Sequence, residues 1–327
     1  MTFVSQTTSW KRRVPLHGIN VALVIFLVLY AAIAIIQPNY LEAGLFMNFL
    51  RRAAPLAILA CGQLYVILTG GFDLSMGAIV TLVVLAASML IGGDPDVTWA
   101  VIGGLYAMGA VIGLFNGMIV TFLKVPSIIA TLGTSLLVTG AALAWSGGAP
   151  RGDLPDNFRD AGRLVLRDVP VFGTLPLAVI ILIIVIALVW WSVHAAVYGK
   201  RLLALGDNPR AAQLAGVPVS AMRISAFVLS AIAAVTAGIL VGGFSGVSVN
   251  AGKGLELQAI AACVIGGAQL LGGRGTVWGA VFGALSLFAL FTLLNLLGLP
   301  QALRDSVQGI ILIAAVGASV WRHRRSN

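Results

Sequence analysis

GKRLLALGDNPRAAQLAGV, residues 199–217, is a polar island between two long apolar runs, and the rest of the chain is organised around it. Asn208 suits the N-cap of a helix and Pro209 its first position, where the missing N–H is not needed. Arg210 to Ala215 then supply about two helical turns, with Ala211, Leu214 and Ala215 on one side. Gly216 can end the helix at C′, and Pro218 blocks its continuation. A helix this short is unstable alone in water because its nucleus is costly. It needs a surface, either its own bundle or another subunit. Lys200, Arg201, Arg210 and Arg223 mark this side of a membrane as cytoplasmic. The stretch is either a basic connecting loop or a docking helix on which a cytoplasmic partner pushes.

The remainder places the chain in a bilayer. Of 327 residues, 59% are hydrophobic and 9% charged, against about 25% charged in a soluble domain; mean hydropathy is +1.02. The net charge of +9 sits in flanks and loops, where it sets orientation, and argues for no nucleic acid. Cys61 and Cys263 lie in apolar runs and fit neither a disulfide framework nor a zinc site. His17, His194 and His323 are far apart, so no metal site is expected.

The first apolar run, about Gly18 to Ile36, is long enough to cross about 30 Å of hydrocarbon and reads as an uncleaved span. Further spans are expected at about 53–69, 75–91, 98–122, 127–146, 174–194, 224–243, 255–271, 276–297 and 303–320, ten in all. With the N-terminus inside, the inner segments hold Lys11, Arg12, Arg13, Lys124, Lys200, Arg201, Arg210, Arg223, Arg274, Arg322, Arg324 and Arg325, against only Asp73 and Asp207. The outer segments hold fewer basic residues and most of the acids, as the positive-inside rule requires. Arg51 and Arg52 are the local objection, placed outside unless they snorkel. The reading is one all-α integral membrane domain over 1–327, with both termini cytoplasmic. Residues 1–16 form an inner tail, 147–173 an outer loop and 195–222 the inner loop that carries the short helix.

A shift of 202 residues lays Ala57, Ala60, Cys61, Leu68, Gly70, Gly71, Gly77 and Ala78 on Ala259, Ala262, Cys263, Leu270, Gly272, Gly273, Gly279 and Ala280. The match suggests a parallel pseudo-repeat, spans 1–4 echoed by 7–10, of a kind that recurs in transporters. Inside the repeat, Gly70-Gly71-Phe72-Asp73-Leu74-Ser75 breaks an apolar region. Asp73 and Ser75 can cap the next helix, or Asp73 can serve a gate or pathway, since a carboxylate near a membrane must face protein, water or the interface. The matching break is Gly272-Gly273-Arg274-Gly275-Thr276. Neither is a nucleotide loop, and GxxxxGK[ST] is absent from the chain. Gln63, Asn116, Thr131, Thr134, Ser135, Thr139, Gln258, Gln269 and Asn295 are polar groups within spans, bonding between helices or lining a path. No catalytic motif is present, so the chain reads as a non-catalytic transport subunit.

Four motifs in order, GGFDLSMGAIVTL (70–82), NGMIVTFLKVPSIIATLGT (116–134), GKRLLALGDNPRAAQLAGV (199–217) and GGAQLLGGRGTVWGAVFGAL (266–285), resemble ribose-type permeases, the transmembrane subunits of bacterial ATP-binding-cassette importers for monosaccharides. The resemblance runs from about residue 40 to 320. It implies import of a ribose-like or other sugar across the bacterial inner membrane, with autoinducer-2, a polyol, a nucleoside or a branched-chain amino acid as the alternative substrates. It also implies a second permease subunit, alike or different, and a cytoplasmic ATPase that uses the ATP, this chain binding no cofactor. A periplasmic or lipid-anchored binding protein would deliver the sugar. It assigns ATPase coupling to Asp207, Asn208, Pro209, Arg210, Ala211, Ala212 and Gly216, and places Asp73, Ser75, Asn116, Thr131 and Thr134 near the pathway. The rival class is an ion-driven secondary transporter, for which only Asp73 and Glu256, both near span ends, offer an in-span acid.

Overall fold

With no water to bond it, a chain in hydrocarbon must satisfy its backbone internally, and each long apolar run here becomes a helix. The computed structural model describes residues 20–170 and 173–300, with Leu303, Ser306, Val307, Gly309, Ile310, Ile313 and Gly317. The expected tail (1–16) and most of the expected last span (303–320) lie outside these residues. The helices are α1 (Val21–Ile36), α2 (Ala43–Leu68), α3 (Met76–Ile91), α4 (Thr98–Phe122), α5 (Ser127–Ser146), α6 (Asp156–Arg163), α7 (Leu177–Trp190), α8 (Val197–Asp207), α9 (Pro209–Leu214), α10 (Val219–Ser245), α11 (Leu255–Ile265) and α12 (Val277–Leu296). A π turn, Trp191–Ala195, extends α7.

Among the described residues six helices are long and apolar enough to cross a membrane: α2, α4, α5, α7 with its π turn, α10 and α12. Helices α1, α3 and α11 are apolar but shorter. Every expected span from the first to the ninth contains one of these nine, but three boundaries are corrected. Helix α2 begins at Ala43, not near residue 53, so Arg51 and Arg52 lie inside it; charge suggested a boundary where the backbone continues. Helix α10 runs 219–245 rather than 224–243. The span expected at 255–271 is helical only to Ile265, where Gly266 caps it and Gly267 turns with φ +86°. The outer loop is also more ordered than a solvated connection. It contains α6 and an antiparallel hairpin of β1 (Val165–Val169) and β2 (Gly173–Pro176), and α6 is anchored by the buried Phe158.

Helices α2 and α10 form the centre, each buried over most of its length. Helix α4 crosses α10 through Gly109, Gly113 and Gly117, spaced one turn apart. A Cβ at Gly113 would stand 2.6 Å from the Phe227 carbonyl oxygen and 2.7 Å from the Val228 Cα, so the two backbones touch there. Small residues are how helices associate where lipid is as apolar as leucine. Gly133, by contrast, faces open space. On the far side, α1 lies on α12, with the Ser286 hydroxyl 2.9 Å from the Ala22 carbonyl oxygen.

Gly113→Val is expected to lower the melting temperature of the detergent-solubilised protein clearly, since overpacking a tight contact costs about 1–3 kcal/mol. Gly133→Val should change it little. Equal melting temperatures for the two variants would refute this packing.

Candidate functional site: a capped helix, a glycine junction and a buried latch

The expected short helix is present as α9, and its ends are built as the sequence requires. The Asn208 Oδ1 accepts from the N–H of Arg210 at 3.1 Å and of Ala211 at 3.0 Å. At the other end Gly216 N–H bonds the Gln213 carbonyl and Val217 N–H the Ala212 carbonyl, both at 3.0 Å, a Schellman closure with Gly216 at φ +80°. Ala212 is buried and holds α9 to the bundle, while Arg210, Ala211, Leu214 and Ala215 are exposed. Leu214 is 85% exposed, an apolar side chain presented outward from a polar loop. The outward face is the side carrying Ala211, Leu214 and Ala215. Asp207, Asn208, Pro209 and Gly216 are exposed beside it.

The foot of this helix pair is wedged into both helix breaks. A Cβ at Gly206 in α8 would fall 2.0 Å from the Leu68 carbonyl oxygen and 2.2 Å from Gly273 N. Gly273 N–H donates to that same Leu68 carbonyl at 3.1 Å. A Cβ at Gly272 would meet Gly70 N at 2.8 Å and Gly206 Cα at 3.1 Å. The end of α2, the break before α12 and the foot of α8 therefore meet backbone to backbone, at a separation no side chain permits.

Beyond the junction, residues 70–75 turn back into the bundle, and each of their N–H groups has a partner. Gly70 and Gly71 close α2 on Ile67 and Val66. Phe72 N–H bonds Ser127 Oγ at 3.0 Å and Leu74 N–H bonds Thr131 Oγ1 at 3.0 Å. The Gln63 carboxamide, in the orientation that matches donors to acceptors, accepts from Asp73 N–H at 3.1 Å and donates to the Asp73 carbonyl at 3.2 Å. The Asp73 carboxylate accepts the Ser75 N–H at 2.9 Å and the Ser75 hydroxyl at 2.6 Å on Oδ1, and the Ser230 hydroxyl at 2.7 Å on Oδ2. Ser75 Oγ in turn accepts from Asn116 Nδ2 at 2.9 Å, and Thr134 Oγ1 donates to Asn116 Oδ1 at 2.6 Å.

The structure thus joins Asp73, Ser75, Asn116 and Thr134 in one buried network across α3, α4, α5 and α10, with Thr131 holding the adjoining backbone. The residues of α9 form a separate, exposed group, linked to the network through the junction. Sequence reasoning missed Ser230, whose serine in a long apolar helix carries no local signal, and it named Gln63 only as one polar group among many. Gly206 was missed too, because its importance lies wholly in what approaches it. A cavity of about 230 Å³ opens beneath the break between Lys124, Pro126, Ser127, Arg223, Gly70 and Gly71.

Asp73→Ala should destabilise the protein strongly, because it strands the Ser75 N–H and the Ser230 hydroxyl, each orphaned group costing about 1–3 kcal/mol. Asp73→Asn should recover part of the loss. Thermal melts in detergent check this, and an unchanged melting temperature for Asp73→Ala would contradict the network.

A family model described as "Branched-chain amino acid transport system / permease component" matches residues 45–316. The chain is 35% identical over 296 residues to the autoinducer 2 import system permease protein LsrC of Yersinia pseudotuberculosis serotype O:1b (strain IP 31758), covering 90% of this chain and 82% of that one. LsrC of Enterobacter sp. (strain 638) is 35% identical over 312 residues, 93% of this chain and 89% of that one. No solved structure matches. The breaks, the capped inner helix and the buried polar network lie within the matched residues, and the chain belongs to this family of transport-system permeases.

Proposed function

We propose that the chain is the membrane-spanning, non-catalytic permease subunit of an ATP-driven importer in the bacterial inner membrane, and that its solute is sugar-like. The observation that carries the reading is α9, a doubly capped helix with an exposed leucine, rooted by Gly206 in both helix breaks. A surface loop needs no such root; a lever does. A cytoplasmic ATPase pushes on Asp207, Asn208, Pro209, Arg210 and Ala211, while Ala212 and Gly216 hold the helix in shape. The ATP is bound and hydrolysed by that partner, and this chain contributes no nucleotide site. A second permease subunit completes the pathway, and an extracytoplasmic binding protein delivers the solute to the face formed by α6 and the β1–β2 hairpin.

The importer reading favours alternating access without chemistry on the solute. Asp73, Ser75, Asn116, Thr131 and Thr134 act in it as a latch on the inner half of the path. Their polar groups are occupied with one another, so they bind solute only after that network opens. The parallel repeat supports the same picture. One pair related by the 202-residue shift meets in space, Gly70 against Gly272, and the Cys263 thiol lies 3.2 Å from the carbonyl oxygen of Ala60, the neighbour of its counterpart Cys61. On this reading α2 and α11 are repeat partners lying side by side, in a bundle of ten spans with both termini inside. For the solute, the LsrC likeness favours autoinducer-2 or a related sugar over an amino acid.

Affinity purification from native membranes, with mass spectrometry of what is retained, is expected to recover a cassette ATPase. Deleting residues 207–216 should abolish that recovery and uptake while leaving membrane insertion intact. Gly206→Val should behave differently, because it spreads the junction and leaves the α9 surface in place. The ATPase stays bound and hydrolyses ATP, but uptake is lost. Normal uptake in either variant would sink the lever assignment.

A further inference from the structure

The outer half of α2 carries two arginines that the reading above does not use. Arg52 lies 16 residues before Leu68, the residue at the inner junction, which at 1.5 Å per residue puts it about 24 Å across the membrane. Neither Arg51 nor Arg52 forms an ion pair among the described residues, and the Arg51 Nε and Asn48 Oδ1 are buried without a hydrogen-bond partner. An arginine at the bilayer centre costs about 2.5 kcal/mol or more, and one this close to the outer interface reaches out to water or faces protein.

The space they face is present. Three crevices of about 350, 300 and 440 Å³ share Asn48, Arg51, Arg52 and Phe288 among their walls and adjoin along α2 and the outer half of α12. The crevice of about 350 Å³ combines Asn48, Arg52, Thr292 and Asn295 with Phe288 and Phe291. Phe49 packs edge-on to Phe288 at 5.2 Å between centroids, which fixes that wall. The bundle's other outward faces are unlike it: α4 and α5 present Val111, Leu114, Ile128, Leu132 and Leu136, the dress of a surface in lipid.

Amides, a hydroxyl and a guanidinium set among phenyl faces suit a small hydroxyl-rich solute. Its hydroxyls take the polar groups and its C–H faces lie on the rings. We propose that this crevice is a water-filled site on the outer half of the transport path, that it takes a polyhydroxylated solute, and that Arg52 is its principal polar contact. The inference rests on the permease reading and adds to it a site distinct from the Asp73 network.

The test is cysteine accessibility in native membranes that retain the partner subunits. The two native cysteines are buried, so background is low. Asn48→Cys and Thr292→Cys should react with a membrane-impermeant methanethiosulfonate applied from outside at least tenfold faster than Val111→Cys and Leu136→Cys on the lipid faces. D-ribose or xylitol at high concentration should slow the reaction several-fold, and Arg52→Gln should abolish that protection while labelling stays fast. Labelling no faster than on the lipid faces overturns the proposal. Protection by sulfate or inorganic phosphate and not by the polyols overturns the solute class. Retention of the ATPase in the same membranes is scored separately. Slow labelling in membranes that retain it sinks the crevice alone, whereas a wild-type chain without an ATPase sinks the permease reading instead.

Discussion

The constraint on which this structure depends is the demand of an interrupted backbone for partners where no water is available. Between Thr69 and Ser75 the chain leaves one helix and starts another inside the bundle, and every peptide N–H along it must be met by protein. Two are met by the end of α2 itself, one by Ser127, one by Gln63, one by Thr131 and one by Asp73. The side chains that answer come from α2 and α5, and the Asp73 carboxylate adds Ser230 of α10. Three helices are thereby registered on one irregular segment. Apolar packing alone fixes such a register poorly, since apolar side chains repack with little penalty and hydrogen bonds do not.

The same segment explains which features could be read from the sequence. Helix α9 was legible in detail because its determinants are local: Asn208 and Pro209 at one end, Gly216 and Pro218 at the other, all within a few residues. The positions of the apolar helices were legible for the same reason, since run length alone signals them. Boundaries failed where tertiary contact overrode the local signal. Arg51 and Arg52 looked like an interfacial stop, yet α2 continues through them because they face a crevice and not lipid. Residues 266–271 looked apolar enough to extend a helix, yet α11 ends at Ile265, where a Cβ on Gly266 would stand 2.2 Å from the Gly279 carbonyl oxygen. Asp73 was legible as unusual but not as the centre of a network, because Ser230 lies 157 residues away.

The glycines show the same division. A glycine at a helix end announces itself by position, as Gly216 does. Gly206 sits within α8, where glycine merely weakens a helix, and its reason appears only when the Leu68 carbonyl and the Gly273 amide arrive from two other elements. The contact makes α8 an extension of both breaks. A push on α9 cannot be absorbed by compliant side chains at that point, because none lie between the three backbones.

Helix α2 is then the element through which the proposed motions must pass. Its inner end holds the junction at Leu68, Gln63 holds the Asp73 backbone one and a half turns further out, and Asn48 and Arg52 line the outer crevice. Latch and crevice are therefore about 16 Å apart along one helix at 1.5 Å per residue, with Pro55 between them. A small rotation of that helix about the junction displaces its outer end more than its inner end. It strains the Gln63 bonds, which tolerate only tenths of an ångström, before it much alters the inner cavity. The two ends of the path are thus tied in opposite ways to one helix, a soft aqueous crevice at the far end and a stiff polar latch near the fulcrum. The proposed alternating access requires that the two not be free at once, and α2 is the element that both ends share.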